Sequence, residues 1–86
     1  MQYILSKQFE KDFAKLPKRT KQKVLLVLEL FLVEPSHPSL RVHSLRGRYV
    51  GHHSLDVTGD VRAVYFVIQK DLVRFVTIGT HSELYG

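Results

Sequence analysis

Hydrophobic positions along this chain of 86 residues change their spacing three times, and each change marks a different kind of element. Tyr3-Ile4-Leu5 is a short apolar run that reads as one strand. From Ser6 onward the period is helical. Phe9, Phe13 and Leu16 fall at i, i+4 and i+7 on one face, and Lys7, Lys11 and Lys15 repeat on another. Ser6 is a good N-cap for that helix. Pro17 interrupts the pattern, where it can end the first helix or sit in the first turn of a second. The second helix, Lys18 to Val33, has a basic start and an apolar end. Val24, Leu28, Phe31 and Leu32 form a stripe that Leu25, Leu26, Val27, Leu30 and Val33 widen to nearly all faces. A helix apolar all round is deeply buried or covered by a partner.

Glu34-Pro35-Ser36-His37-Pro38-Ser39 is a loop, because its two prolines exclude both helix and central strand. Beyond it the pattern becomes that of strands. Arg41 to Leu45 is one, Gly47 marks a turn, and Tyr49 to Val57 is a second, with Leu55 and Val57 in one phase and Ser54 and Asp56 in the other. After the tight turn Thr58-Gly59-Asp60, Val61 to Ile68 is apolar in both phases apart from Arg62, as a central strand should be. Gln69-Lys70-Asp71 turns the chain into a last strand, Leu72 to Gly79. Short turns join these strands into an antiparallel meander. The expected architecture is α+β in the order β-α-α-β-β-β(-β). An N-terminal helical hairpin packs on one face of a twisted, mainly antiparallel sheet, in a single domain spanning residues 1–86. The opposite sheet face is left for polar side chains or a cleft. If the last strand is pinned in the sheet, His81 and Tyr85 just beyond it are delivered to a fixed place; an unpinned tail would fray.

Composition narrows the picture. A hydrophobic content of 44% suffices for the core of so small a domain. The absence of cysteine removes disulfides and thiolate metal sites, which fits a reducing compartment. The first apolar run is too short for a signal h-region, and no run approaches a membrane span, so a cytoplasmic protein without a membrane partner is expected. The net charge of +5 is local. Residues 7–23 hold Lys7, Lys11, Lys15, Lys18, Arg19, Lys21 and Lys23 against Glu10 and Asp12, and the rest of the chain balances. Such a sector suits a polyanion or an acidic partner, although a charge run is commonly just a solvated face.

Arg62 stands near the start of the most hydrophobic strand, where a charge must be paired or used. An ion pair with Asp56 or Asp60 is the structural reading, and phosphate binding by the planar guanidinium is the functional one. The five histidines are His37, His43, His52, His53 and His81. His37 lies between prolines. His52 and His53 point to opposite faces if they lie on a strand, with His53 in phase with Leu55 and Val57. No histidine pair has the spacing of a helical zinc motif, so a metal site is not expected.

Four features together resemble the RelE/ParE toxin superfamily: the order of elements, His43-Ser44-Leu45-Arg46-Gly47 leading to Gly51, the turn Gly59-Asp60-Val61-Arg62, and the ending Gly79-Thr80-His81-Ser82-Glu83-Leu84-Tyr85-Gly86. The ending looks like the YafQ-type branch. The resemblance implies the toxin half of a type II toxin–antitoxin pair that enters the ribosome and cuts messenger RNA without a metal or other cofactor. Its partners would be a cognate antitoxin, mRNA and the ribosome, with a monomeric free toxin and a hetero-oligomeric complex. By motif, His43 matches the histidine before the Leu-x-Gly turn, Asp60 the acid of the turn before the central strand, and His81 the histidine of Gly-Thr-His. Arg62 stands where many RelE-type members carry arginine, and Tyr85 where the branch usually has phenylalanine. One position departs: a further histidine expected before the turn falls at Asp56, which leaves His52 and His53 as substitutes.

Cleavage of this kind lets the ribose 2′-OH attack the adjacent phosphorus. It needs a base, an acid and positive charge on the phosphate. The expected roles are His81 as acid, His43 or Asp60 as base (or Asp60 as orienter of a histidine), and Arg62 as stabiliser of the transition state. Arg46 and Arg48 are candidates for backbone phosphates, and Tyr85 for stacking on a base. Two other readings use the same fold: a ParE-like poison of DNA gyrase without nuclease activity, and a non-catalytic RNA- or protein-binding module.

Overall fold

The computed structural model describes residues 1–85. Its sheet has five strands in the order β1-β5-β4-β3-β2. β1 is Gln2–Leu5, β2 His43–Ser44, β3 His53–Asp56, β4 Val61–Gln69 and β5 Leu72–Thr80. β2 to β5 form the expected antiparallel meander, and β1 adds to the far edge parallel to β5, with Tyr3 beside Val73. The helices α1, Lys7–Ala14, and α2, Lys18–Val33, pack on one face. This is the α+β arrangement read from the spacing.

The Ser6 hydroxyl caps α1 by accepting from Phe9 N at 3.0 Å, and it donates to the Val76 carbonyl at 2.8 Å. The cap therefore also ties α1 to β5. Pro17 is the N-cap of α2, with φ −59° and ψ 152°. The core is aromatic at its centre: Tyr65, Phe31, Tyr3 and Phe9 surround Phe75 with ring centroids 5.3, 5.4, 5.6 and 5.7 Å away. Burial pushes the Tyr65 phenol above its usual pKa of 10.0, because the charged form would lose its water.

Three expectations need correction. The proline loop does contain a helical turn, the 3₁₀ turn Pro38–Leu40, because proline at its first position needs no N–H partner. The strand expected from Arg41 to Leu45 shrinks to β2, since Arg41 adopts a left-handed backbone (φ 46°) to cap that turn. The strand expected from Tyr49 to Val57 is confined to β3. Gly47 and Gly51, at φ 63° and 87°, bracket a 3₁₀ turn, Gly47–Tyr49, that no strand can pass through. Of the two alternatives for the end of the last strand, the pinned one holds: β5 leads into a short helix, α3, His81–Tyr85.

α2 divides the apolar residues of its sequence between two faces. Val24, Val27, Leu28 and Phe31 are buried in the core, while Leu25 (55%), Leu26 (62%) and Val33 (79%) remain exposed. Of the two alternatives for a helix apolar all round, deep burial is the one that this fold does not provide.

Candidate active site

Strand register decides which polar side chains meet. Leu55 pairs with Ala63, both buried against the helices. Alternation then sends Asp56 with its partner Arg62, and Ser54 with its partner Val64, to the opposite face. His43 joins that face through its pairing with Ser54. At this end of the sheet a groove of about 330 Å³ is lined by His43, Arg46, Arg62, His81 and Tyr85, with Ser44 and Leu45 completing its wall. Larger hollows of about 470 and 580 Å³ lie elsewhere; the larger of them also holds His37, Arg41, His53 and Tyr65, but there His53 stacks on Tyr65 and His37 Nδ1 is engaged by Ser39, whereas the groove joins the residues of the His43, Arg62 and His81 motifs.

His43 is held at both ring nitrogens. Nδ1 lies 2.8 Å from the Arg41 carbonyl, and Nε2 lies 3.2 Å from Ser54 Oγ. A carbonyl only accepts, so the proton belongs on Nδ1, and in the neutral ring Nε2 is left as acceptor of the serine hydroxyl. Ser54 is fully buried, and no other partner of its hydroxyl occurs among the described residues. A histidine between a serine and an orienting carbonyl has the layout of an activated nucleophile. Burial keeps Ser54 Oγ from any substrate, so the serine acts on the ring alone.

His81 is held differently. Its backbone N–H donates to the Asp60 carbonyl at 3.2 Å, and its ring meets Tyr85 edge-on at 4.8 Å, one turn away on α3. The helix starts with a reciprocal cap. Glu83 N donates to Thr80 Oγ1 at 3.2 Å, and Thr80 N donates to Glu83 Oε1 at 2.7 Å. Tyr85 is braced in turn by Tyr49 at 6.2 Å, and Tyr49 by His52 at 5.9 Å, which packs on Phe66 at 5.4 Å. Arg62 Nε donates to Asp56 Oδ1 at 3.2 Å, so the aspartate that pairs with it is Asp56 and not Asp60.

The groove thus brings together His43, Arg46, Arg62, His81 and Tyr85. It does not include Asp60, whose side chain is exposed in the turn and which touches the site through its backbone carbonyl. Arg48 lies outside it too, 5.6 Å over the Tyr49 ring and bordering the neighbouring 470 Å³ hollow. Neither substitute histidine reaches the groove. His52 is taken up by its aromatic neighbours, and His53 stacks on Tyr65 at 5.5 Å on the helix-facing side, with a buried Nδ1 that has no partner among the described residues. Three participants were not singled out as site residues from the sequence. Ser54 and Tyr49 carry no local signal. The cap of α3 does: Thr80-His81-Ser82-Glu83 has the Thr-x-x-Glu spacing of a capping box. No cluster of three or more histidine, cysteine or acidic residues able to hold a metal ion occurs among the described residues.

The family described as "Bacterial toxin of type II toxin-antitoxin system, YafQ" matches the chain over residues 1–86. No curated protein sequence matches it. Among solved structures, YafQ of E. coli strain BL21(DE3) is 27% identical over 98% of this chain and 97% of its own, with a TM-score of 0.82. YafQ in the E. coli DinJ-YafQ toxin–antitoxin complex is 28% identical over 98% and 96%, at 0.79. The RelB-RelE antitoxin–toxin complex from Methanococcus jannaschii matches over 95% of this chain and 94% of that one, at 0.75. With 19% identity it speaks for the fold alone.

Proposed function

The chain belongs to the YafQ family of bacterial type II toxin–antitoxin toxins, and from that premise we propose that it is a metal-independent, ribosome-associated endoribonuclease that cuts mRNA and stops translation. The observation that carries the reading is the convergence of two histidines, two arginines and a tyrosine from distant parts of the chain on one groove. Cleavage makes a bond from the 2′-oxygen to phosphorus and breaks the bond from phosphorus to the 5′-oxygen, leaving a 2′,3′-cyclic phosphate and a free 5′-OH.

His43 is the base. The Arg41 carbonyl keeps the proton on Nδ1, and the Nε2 lone pair, which accepts from the Ser54 hydroxyl in the free protein, exchanges that contact for the 2′-OH when RNA binds and takes its proton. His81 is the acid that protonates the departing 5′-oxygen. Arg62 stabilises the charge that builds on the phosphate, and Arg46 binds a neighbouring phosphate at the rim. Arg48 serves a phosphate beyond Tyr49. Tyr85 stacks on a base, a contact worth about 1–3 kcal/mol. Asp60 contributes by fixing the first residue of α3 with its carbonyl, in place of the base role open to it from sequence.

The partner of the free toxin is an antitoxin, as DinJ is for YafQ in the E. coli complex. The exposed apolar face of α2 and the basic run of residues 7–23 offer it an amphipathic, cationic surface. The setting is the cytoplasm, where ribosomes are; no helix among the described residues is long and apolar enough to cross a membrane.

The test is in vitro translation with and without the purified protein, with EDTA-treated controls and mapping of mRNA 5′ ends. Toxin-dependent cuts within codons that persist in EDTA-treated RNA support the reading. Intact mRNA with accumulating DNA breaks in cells points to gyrase, and salt-sensitive RNA binding without cleavage points to a binding module.

A further inference from the structure

Asp56 and Arg62 face each other across β3 and β4, and their contact uses one atom of each, Asp56 Oδ1 and Arg62 Nε, at 3.2 Å. Nε is the guanidinium nitrogen nearest the chain. The two terminal nitrogens, which fork onto a phosphate, make no hydrogen bond among the described residues. Because the guanidinium is rigid and planar, a hold on Nε fixes the plane and the direction of the fork while leaving it unspent. The pair is screened from water, with side-chain exposures of 21% for Arg62 and 16% for Asp56. On its other side Arg62 is opposite Gly79 of β5, where the place of the missing side chain is taken by Glu83: a Cβ there would meet Glu83 Oε1 at 3.0 Å. Arg62 lines the groove. Asp56 does not: it borders a separate hollow with Lys23, Ser39 and Leu40.

We propose that Asp56 is a positioning residue, which holds Arg62 by Nε so that the terminal fork meets the phosphate being cleaved, and which exchanges no proton with RNA itself. The inference rests on the nuclease reading. It gives a role to the one position where the sequence departs from the pattern it resembles: the aspartate there acts through the arginine beside it.

The experiment combines kinetics and spectroscopy on Asp56→Ala, Asp56→Asn, Arg62→Ala and the Asp56→Ala/Arg62→Ala double variant. Single-turnover cleavage of ribosome-bound mRNA is expected to fall about a hundredfold in Asp56→Ala at saturating toxin, with half-saturation little changed, since a misplaced group lowers the rate by that order. Asp56→Asn keeps an acceptor for Nε–H and is expected to recover most of the rate. The double variant should be no slower than Arg62→Ala alone. Full activity in Asp56→Ala, an Asp56→Asn variant as slow as Asp56→Ala, or effects that multiply in the double variant would each overturn the proposal; the second would make the carboxylate itself an acid or base. NMR reads the same contact without catalysis. The Nε–H signal of Arg62 should be protected in the wild type and lost in Asp56→Ala, and inorganic phosphate should perturb it only in the wild type. An unprotected Nε–H in the wild type overturns the contact. Protection together with phosphate sensitivity, in a protein that cuts no mRNA, upholds the positioning while the nuclease reading fails.

Discussion

The two histidines of the groove are held in opposite ways. His43, from β2, is anchored at both ring nitrogens, by a backbone carbonyl and by a buried hydroxyl. His81, from α3, is anchored by its backbone and by the packing of its ring against Tyr85, with both ring nitrogens free of partners among the described residues. A ring fixed at both ends has a defined tautomer and a lone pair in a known place, which suits a base that must be ready before the substrate arrives. A ring fixed only at its root can turn toward an oxygen that moves as the bond breaks, which suits an acid. Under the proposed nuclease reading, the contrast favours His43 as base and His81 as acid, roles that residue type alone leaves symmetrical.

The strongest way to break this comparison is to remove the free ring. His81→Ala is expected to lower mRNA cleavage by about 10²–10⁴-fold, the usual contribution of one acid–base group, without loss of the folded state. Unchanged cleavage in a variant with a native circular dichroism spectrum removes His81 from the chemistry. Tyr85→Ala acts on binding: loss of a stacking contact of about 1–3 kcal/mol should raise half-saturation on mRNA about five- to 150-fold, measured by titration at fixed mRNA. An effect on the saturated rate alone would make Tyr85 a brace for His81 and not a platform for a base.

Ser54→Ala probes the anchored ring. It deletes one hydrogen bond worth about 0.5–1.5 kcal/mol, so the rate should fall about two- to thirteenfold. Long-range ¹H–¹⁵N NMR should find His43 as the Nδ1–H tautomer in the wild type and as a mixture in the variant. A wild-type ring protonated on Nε2 alone would reverse the assignment of base and acid. The smallest effect on cleavage is expected at the root of α3, where the change is one of helix stability. Glu83→Ala breaks the reciprocal cap at about 0.5–2 kcal/mol of helix stability, the range for lost helix caps. Glu83→Gln, which can still accept from Thr80 N, should retain it. Hydrogen exchange of the Glu83 amide, whose N–H is bonded to Thr80 Oγ1, reads the difference.

Much of the fold was legible because its signals are local. Ser6 before the spaced Phe9, Phe13 and Leu16 marked α1, and the doubly apolar Val61 to Ile68 marked the central strand. Most of the groove was legible too, since His43, Arg46, Arg62, His81 and Tyr85 were all candidates. What escaped depends on contacts between distant segments. Ser54 reads as an ordinary polar position of an alternating strand, and its burial exists only because β2 and β4 flank β3. Five residues are too few to display helical periodicity, so α3 could be announced only by its cap. Asp60 stands out in the sequence for its carboxylate, but the atom that reaches His81 is its carbonyl oxygen, a difference that residue type does not encode.

The left-handed turn at Arg41 has a consequence for genetics. The group that orients His43 there belongs to the main chain, so conventional alanine replacement leaves the oxygen in place and reports little. Position 41 is sensitive to backbone preference: asparagine or glycine, at ease with φ near 46°, should pass unnoticed, whereas valine or isoleucine should disturb the groove. A mutational screen would record that pattern as an odd intolerance of branched residues at an exposed site, and its cause lies two residues further on, in the ring of His43.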